Sequence, residues 1–438
     1  MSIRVRLKIM MFLQFFVWGV FFVSLGEYLT QIFGGRYEDK INTIIGNIYA
    51  TQTWAALAAP LVVGFVADRL FNKERVNGVL HLVGGSLLWW TSTISESWEQ
   101  CYWLMLGFFI CYMPTMALVN TITFQNVESP ERDFPPIRLW GTIGWIVSGL
   151  IVAESFFGLF SLPVLPGVEN AAATAVPLKL GAIASWIYGV YSFTLPASPP
   201  HGRGEPVNLA KVTGFESVEL FKNFNYAMFA ISSFLICIPL AFYYARTNDF
   251  VSRMSFGSDG PAVMALGQVS EIIFMALVPF FLGRLGVKKM LLVGMLAWAA
   301  RYALFGLFPS TSAMLVLGIL LHGICYDFFF VTGQLYTDRV APPSMRTSAQ
   351  ALIGLLTYGA GMLIGNMIHG PWGDRLELDP SQQASWADNA ASFWLLPAGI
   401  AFAVAIFFAV TFRDEEQTES QTSTETDPGS AAAPEPVA

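Results

Sequence analysis

The sequence predicts an all-α integral membrane protein with twelve transmembrane helices arranged as two pseudo-symmetric bundles of six. Hydrophobic residues make up 54% of the chain and charged residues only 13%, whereas a soluble domain carries about a quarter charged residues. Apolar runs recur with the length of about twenty residues that a helix needs to cross the hydrocarbon core. A polar segment divides these runs into two sets of six.

The apolar segments set the predicted spans and the domain boundaries. The first six lie near residues 9–30, 43–67, 76–95, 102–122, 136–157 and 178–195, and the second six near 226–245, 262–283, 288–308, 312–336, 347–368 and 392–412. We expect an N-terminal bundle at 1–195, a cytoplasmic linker at 196–222, a C-terminal bundle at 223–413 and a disordered tail at 414–438. A short interfacial helix is expected near the end of the linker, at 215–222.

The distribution of basic residues predicts the orientation. With the N-terminus inside, sixteen of the 24 Lys and Arg residues fall in cytoplasmic segments and six in external loops, as the positive-inside rule expects. The first apolar run is too long for a signal-peptide core, so we expect it to be retained as the first span. The prediction is a multi-pass protein of the cytoplasmic (inner) membrane with both termini in the cytoplasm.

The composition argues against several functional classes. No basic and aromatic pattern typical of nucleic-acid binding is present, and the four cysteines lack zinc-ligand spacing. No span carries a metal cluster, a Ser/His pairing or a phosphate-binding loop, so neither an enzyme nor a cofactor is expected. A non-transporting membrane sensor is a rival interpretation, but it predicts a folded signalling domain that the short linker and the low-complexity tail do not offer.

The segment 133–145, which reads DFPPIRLWGTIGW, places a cation at the start of the fifth span. Arg138, Thr142 and Trp145 are spaced i, i+4 and i+7, so a helix presents them on one face. A charge in a span normally faces a bundle interior or a watery cavity, and this face suits a polar solute that carries a ring. The alternative is that Arg138 extends to the cytoplasmic interface.

A carboxylate occupies the middle of the eighth span. Gln268 and Glu271 are three residues apart and share a helical face. Burial and nearby charge both tune how tightly a carboxyl group holds its proton, so Glu271 is a candidate for proton coupling. The alternative is a structural Glu neutralised by a fixed partner.

The tenth span carries three polar side chains in a short stretch. His322 and Tyr326 share a face, while Asp327 points roughly 100° away from it. Asp327 can pair with Arg301 of the ninth span as a structural or gating ion pair, or it can take part directly in proton coupling. His322 either tunes the response to pH or packs as a hydrogen-bonded residue.

Two motifs repeat between the halves. The second span ends in 64–69, which reads GFVADR, and the eighth in 283–289, which reads GRLGVKK; a Pro-Pro pair precedes Arg138 and Arg346. Six plus six spans with this weak repeat resemble the major facilitator superfamily. That resemblance implies that Asp68 and Arg69 form a gating loop that latches span ends together in one state.

The most specific stretches resemble one family within that superfamily, the nucleoside:proton symporters. They read FLQFFVWG at 12–19, YMPT at 112–115, NTI at 120–122, DFPPIRLWGTIG at 133–144, QVSE at 268–271, VPFFL at 278–282, YDFF at 326–329 and RTSAQ at 346–350. The resemblance implies a central cavity between the halves, in which a nucleoside and a proton move inward together.

The same resemblance implies roles for individual residues. Arg138 and Thr142 would contact the nucleoside, and Trp145 would stack on or wall its base. Gln268 and Glu271 would bind the ribose or the base, with Glu271 close to the proton chemistry. In the tenth span, Tyr326 would form a second aromatic wall and Asp327 would be a carboxylate that takes part in proton coupling.

The sequence departs from the family at two places. Ala241 and Tyr244 stand where the family's seventh span offers amides, and His322 stands where it has a tyrosine. Since hydrogen-bond donors that read a solute control discrimination, these positions leave a sugar or a modified nucleoside as alternative solutes. We expect a monomeric, proton-coupled importer in the lipid bilayer whose halves rock about a midplane site.

Overall fold

Membrane-spanning helices account for most of the described chain, as the sequence predicts. The computed structural model describes residues 1–62, 67, 70–156, 160–161, 168, 170–200, 210, 213–343 and 345–413. The expected gating loop at Asp68 and Arg69 and the expected tail at 414–438 lie outside the described residues. The described part of the linker includes a 3-10 helix at Phe215–Lys222.

The spans are numbered here in chain order. In the N-terminal half, span 1 is Ile3–Phe22 continued by Leu25–Phe33, span 2 is Ile41–Val62, span 3 is Lys73–Thr91, span 4 is Trp98–Gln125, span 5 is Pro130–Val152 and span 6 is Val176–Ser192. A two-residue antiparallel ladder, Ser155–Phe156 with Phe160–Ser161, follows span 5.

The C-terminal half repeats this arrangement. Span 7 is Phe224–Val251, spans 8 and 9 are the two arms of Gly260–Leu307, span 10 runs through Ser312–Leu320, His322–Tyr326, Asp327–Val331 and Thr332–Val340, span 11 runs through Arg346–Gly354, Leu355–Gly361 and Met362–Arg375, and span 12 is Gln383–Thr411. Spans 10 and 11 each contain a π-helical segment.

Length and apolarity separate the spans into two groups. Seven described helical segments are long and apolar enough to cross a membrane, and one of them, Phe224–Leu307, has 84 residues. At 1.5 Å per residue this segment is several times longer than a bilayer core of about 30 Å. It turns back twice, at Ser252–Asp259 and at Gly286, whose φ of 71° favours glycine, and so contributes spans 7, 8 and 9. Spans 2, 3 and 6 are shorter or more polar and complete the N-terminal bundle.

Aromatic side chains fill the interior of each half. In the C-terminal half the rings of Tyr302 and Trp394 stack with centroids 5.8 Å apart, and Trp298 and Trp386 are buried nearby in the same core. In the N-terminal half Phe21 packs edge-on against Phe108 at 5.5 Å. Each half therefore has its own close-packed core, which lets it move as a unit.

The two halves meet where small residues let backbones approach. An added Cβ on Gly46 of span 2 would lie 2.6 Å from the carbonyl oxygen of Asn366 in span 11. An added Cβ on Gly149 of span 5 would lie 3.0 Å from the carbonyl oxygen of Pro261 in span 8. Side chains larger than hydrogen would separate both helix pairs.

Polar contacts tie the halves together at the end of the bundle that carries residues 34–40, 252–259 and 376–382, called here the distal end. Span 2 begins at this end, and its first backbone N–H groups have no partner within the helix. The carboxylate of Asp374 from span 11 accepts from the N–H of Asn42 and of Thr43, both at 3.0 Å. A residue of one half thus caps a helix of the other.

Further distal contacts extend this closure. Arg246 of span 7 is fully buried and donates to the Asn42 side-chain oxygen at 2.9 Å, while its other terminal nitrogen lies 3.3 Å from Asp249. Glu27 of span 1 accepts from the Asn248 amide at 3.2 Å. Ser155 donates to Asp259 from both its backbone N–H and its hydroxyl. The distal end is therefore closed by several direct contacts between the halves.

We predict that Asp374→Ala loosens the distal closure. Loss of a helix N-cap costs about 1 kcal/mol, which is about a fivefold shift between closed and open populations. Spin labels at Asp39 and Ala384, in a background without the four native cysteines, report the distance across the distal end. A longer-distance population should appear in the variant.

Asp379→Ala is the matched control. Its carboxylate lies at the same end but accepts from Ser381 and Gln382 within its own half. This variant should keep the parental distance distribution. If Asp374→Ala behaves in the same way as Asp379→Ala, the cap does not hold the distal end closed.

Candidate substrate site

A cavity of about 340 Å³ lies between the two halves, within the range typical of small-molecule sites. Spans 1, 2, 4 and 5 of the N-terminal half and spans 7, 8, 10 and 11 of the C-terminal half contribute to its wall. The lining residues are Phe15, Trp18, Phe22, Gln52, Ala56, Ala59, Met113, Met116, Arg138, Thr142, Trp145, Tyr244, Gln268, Glu271, His322, Tyr326, Gly354, Tyr358 and Met362. All eight residues expected to bind substrate are among them.

The predicted stripe on span 5 faces this cavity. Arg138, Thr142 and Trp145 line it together, because their spacing puts them on one side of a continuous helix. The Arg138 guanidinium lies 4.0 Å from the centroid of the Phe15 ring, a cation–π contact. Arg138 therefore points into the bundle rather than to the membrane interface.

Span 8 brings a carboxylate to the opposite wall. Glu271 and Gln268 line the cavity from the C-terminal half, and Glu271 interacts electrostatically with Arg138 across it. No ion pair within 4.0 Å joins these two among the described residues. The cavity thus holds a cation on one half and an acid on the other, with space between them for a polar solute.

The partner of Glu271 within its own half is His322. Their Nε2 and Oε2 atoms are 3.7 Å apart, close enough for an ion pair if the imidazole is protonated. The His322 ring stacks on Tyr243 at 5.4 Å, with planes 14° apart, which fixes its orientation. Sequence reasoning placed both residues on inward faces but did not predict that they meet.

Aromatic rings close the cavity toward the distal end. Phe22 of span 1 and Tyr244 of span 7 meet across the halves with centroids 5.8 Å apart. Trp18 packs against Phe22 at 5.3 Å and edge-on against Trp145 at 5.3 Å. These rings, tilted by 55° to 80° against one another, form an apolar layer at the distal side of the site, which offers both ring faces and ring edges to a planar ring of a solute.

The expected pairing of Arg301 with Asp327 is absent from this structure. Arg301 is fully buried, donates from Nε to the Gly318 carbonyl oxygen at 3.0 Å, and lies 4.2 Å from the Tyr243 ring centroid. The two Asp327 oxygens are buried without a hydrogen-bond partner among the described residues. The π-helical segment that starts at Asp327 changes the direction of its side chain relative to a regular α-helix.

Eleven lining residues were not assigned to the site from the sequence, and Tyr358 and Gln52 are two of them. The hydroxyl of Tyr358 in span 11 donates to that of Tyr326 at 2.9 Å, which joins two aromatic walls. Gln52 of span 2 lines the cavity with Ala56 and Ala59 at i+4 and i+7. The sequence feature that could have identified Gln52 is an amide side chain within an apolar span. It lies on the same helical face as two small residues, Ala56 and Ala59.

Other intramembrane polar groups are satisfied within the N-terminal half. The Gln14 amide donates to Thr115 at 2.7 Å, and its oxygen meets His81 Nε2 at 3.2 Å. His81 Nδ1 lies 3.0 Å from the Ser185 hydroxyl. This buried network joins spans 1, 3, 4 and 6 and fixes the backbone beneath Trp18, so it is structural rather than part of the cavity wall.

Comparisons with known proteins agree with this architecture. The YegT protein of Escherichia coli is 37% identical over 421 residues, which cover 95% of each chain. Xanthosine permease of Escherichia coli is 29% identical, over 96% of this chain and 98% of the permease. The crystal structure of the nucleoside transporter NupG matches with a TM-score of 0.80 at 28% identity, over 95% of this chain and all of that one. The model of the nucleoside H⁺ symporter family matches residues 1–417, and the chain belongs to that family.

Proposed function

We propose that this multi-pass inner-membrane protein imports nucleosides together with protons by alternating access. The observation that carries the proposal is the convergence of Arg138, Gln268 and Glu271, from opposite halves, on one cavity that is closed at the distal end. The proximal end, which carries the N-terminus and the linker, faces the cytoplasm in this proposal. Its excess of basic residues supports that orientation.

Solute binding follows from the chemistry of the two walls. Arg138 and Thr142 donate to hydroxyl or carbonyl oxygens of the nucleoside, and Gln268 offers both a donor and an acceptor. The rings of Trp145 and Tyr326 stack on the base. Because the wall residues belong to one chain, we propose the monomer as the transporting unit.

Proton coupling is assigned to Glu271. As a carboxylate it interacts with Arg138 and lies 3.7 Å from His322, and a proton on Glu271 removes the charge that attracts Arg138. Protonation from the distal side thus frees Arg138 for the solute. Release of the solute and of the Glu271 proton to the proximal side restores the carboxylate and its interaction with Arg138. Asp327 is a second buried acid that supports coupling from behind the wall.

Uptake of labelled uridine into proteoliposomes tests the transport function. With the proximal face inside, an inward proton gradient should drive accumulation above the external concentration, and a protonophore should collapse it. Competition by unlabelled sugars and modified nucleosides separates these alternatives. Gradient-driven accumulation of a sugar in place of uridine would contradict the nucleoside assignment.

We predict that Glu271→Gln abolishes uphill accumulation and leaves some exchange. Glutamine keeps the size and hydrogen bonding of the acid but cannot carry the transported proton, so solute movement is no longer tied to the gradient. The measurement is uridine uptake with and without an imposed pH gradient, alongside counterflow. Glu219→Gln, which changes an exposed linker acid paired with Lys222, is the control. Normal gradient-driven uptake in Glu271→Gln would remove this residue from the coupling role.

We predict that Arg138→Gln weakens uridine transport by a factor of about 10 to 100. Hydrogen bonds to a charged group contribute about 1.5–3 kcal/mol, and the variant loses that contribution to solute binding. The KM for uridine uptake measures the change. Arg132→Gln removes an exposed cation near the start of the same helix and should leave KM unchanged. Equal behaviour of the two variants would place Arg138 outside the binding site.

A further inference from the structure

Span 2 contributes Gln52, Ala56 and Ala59 to the cavity wall, and Gln52 is the polar residue of the three. It is 4% exposed, and its Oε1 is buried without a hydrogen-bond partner among the described residues. Folded proteins pair nearly all buried polar groups, and the need is greater in a span that has no water around it. Gln52 also borders the cavity, so rotation of its amide can bring the oxygen to a solute that supplies the missing partner.

The neighbouring polar residues of span 2 behave differently. The Thr51 hydroxyl donates to the Ile48 carbonyl oxygen at 2.6 Å, and the Thr53 hydroxyl donates to that of Ala50 at 2.8 Å. Both threonines are therefore satisfied within their own helix. The contrast singles out Gln52 as the group of this stretch whose hydrogen-bonding capacity is left for a ligand.

Gln52 is also held in a fixed place. Tyr49, one turn earlier on the same side of span 2, donates to the Phe22 carbonyl oxygen at 2.7 Å and accepts from the Gly26 N–H at 3.2 Å. Its ring packs against Phe22 at 5.1 Å. These contacts fix span 2 on span 1, and Gln52 lines the same cavity as Phe22 and Tyr244. An amide positioned in this way is pre-organised for a planar partner.

We propose that Gln52 binds the hydrogen-bonding edge of the base, where a donor and an acceptor lie side by side. A primary amide presents an acceptor next to a donor, and glutamine pairs in this bidentate way with base edges. Rotation of the amide lets it match both the lactam edge of uracil or hypoxanthine and the amino edge of cytosine or adenine. Gln52 is then a specificity-determining residue on the N-terminal half, and this assignment rests on the proposed nucleoside transport.

The location favours the base over the ribose. Gln52 shares the cavity wall with Trp145 and Tyr326, on which the base stacks in the proposed function, whereas Arg138 and Glu271 offer the charged groups that suit hydroxyls. A purely structural role predicts no effect of losing the amide, because the amide oxygen has no described protein partner to lose. A role in reading the base predicts a change in selectivity between solutes.

The test compares uridine with 3-methyluridine, whose methyl group replaces the N3–H donor. In the wild-type protein 3-methyluridine should compete poorly with labelled uridine. Gln52→Met, similar in volume but without the amide, should raise the uridine KM about three- to tenfold, the effect of one or two hydrogen bonds. It should reduce the preference for uridine over 3-methyluridine by the same factor. The preference for uridine over 3′-deoxyuridine should not change.

Thr51→Val is the matched control, since it removes a polar group from the same turn without touching the wall, and it should keep both preferences. If Gln52→Met is not produced as a folded protein, Gln52→Leu replaces it in the same uptake and competition assays. Transport of uridine by Gln52→Met with an unchanged preference over 3-methyluridine would overturn the assignment. A change confined to the 3′-deoxyuridine preference would overturn it also, in favour of a ribose contact. If the wild-type protein takes up no nucleoside, both this assignment and the proposed function fail.

Discussion

The fold depends on one constraint: a polar group inside a bilayer needs a partner from the protein or from a cavity, because the hydrocarbon core offers none. This constraint sorts the intramembrane polar residues into three sets. Gln14 and His81 are satisfied within one half. Asn42 and Arg246 are satisfied across the halves. Arg138 and Glu271 face the cavity, and this last set can exchange its partners with a solute that enters and leaves.

Contacts across the halves have to be numerous enough to close the bundle and weak enough to open. Asp374 caps span 2 with two hydrogen bonds to backbone N–H groups, each of modest net strength since water can replace it when the seam opens. The ring contact of Phe22 with Tyr244 lies deeper and separates the cavity from that seam. A layered closure of this kind lets each half keep its own core while the contacts between them are exchanged.

The site combines a charged layer and an aromatic layer, and each has a separate consequence. Arg138 and Glu271 attract one another across the cavity when Glu271 is ionised, so in the proposed function a proton on Glu271 favours the binding of solute to Arg138. The rings of Trp18, Trp145 and Tyr244 carry little charge, so in the proposed function they would discriminate between solutes by shape. Coupling and selectivity can therefore be altered by different residues. His322, beside Glu271 and stacked on Tyr243, links the two layers.

Composition, run length and helical spacing in the sequence determined the membrane class, the twelve spans and the shared helical face of Arg138, Thr142 and Trp145, because these properties repeat with the period of a helix. Contacts between distant segments have no such period. The His322–Glu271 approach, the cap from Asp374 and the place of Gln52 in the wall were decided by how the helices pack. The pairing of Arg301 with Asp327, inferred from depth alone, did not form because a π-helical segment and a nearby carbonyl oxygen redirected the two side chains. Local periodicity tells which side of a helix is polar, whereas the neighbour that this side meets is set by the tertiary structure.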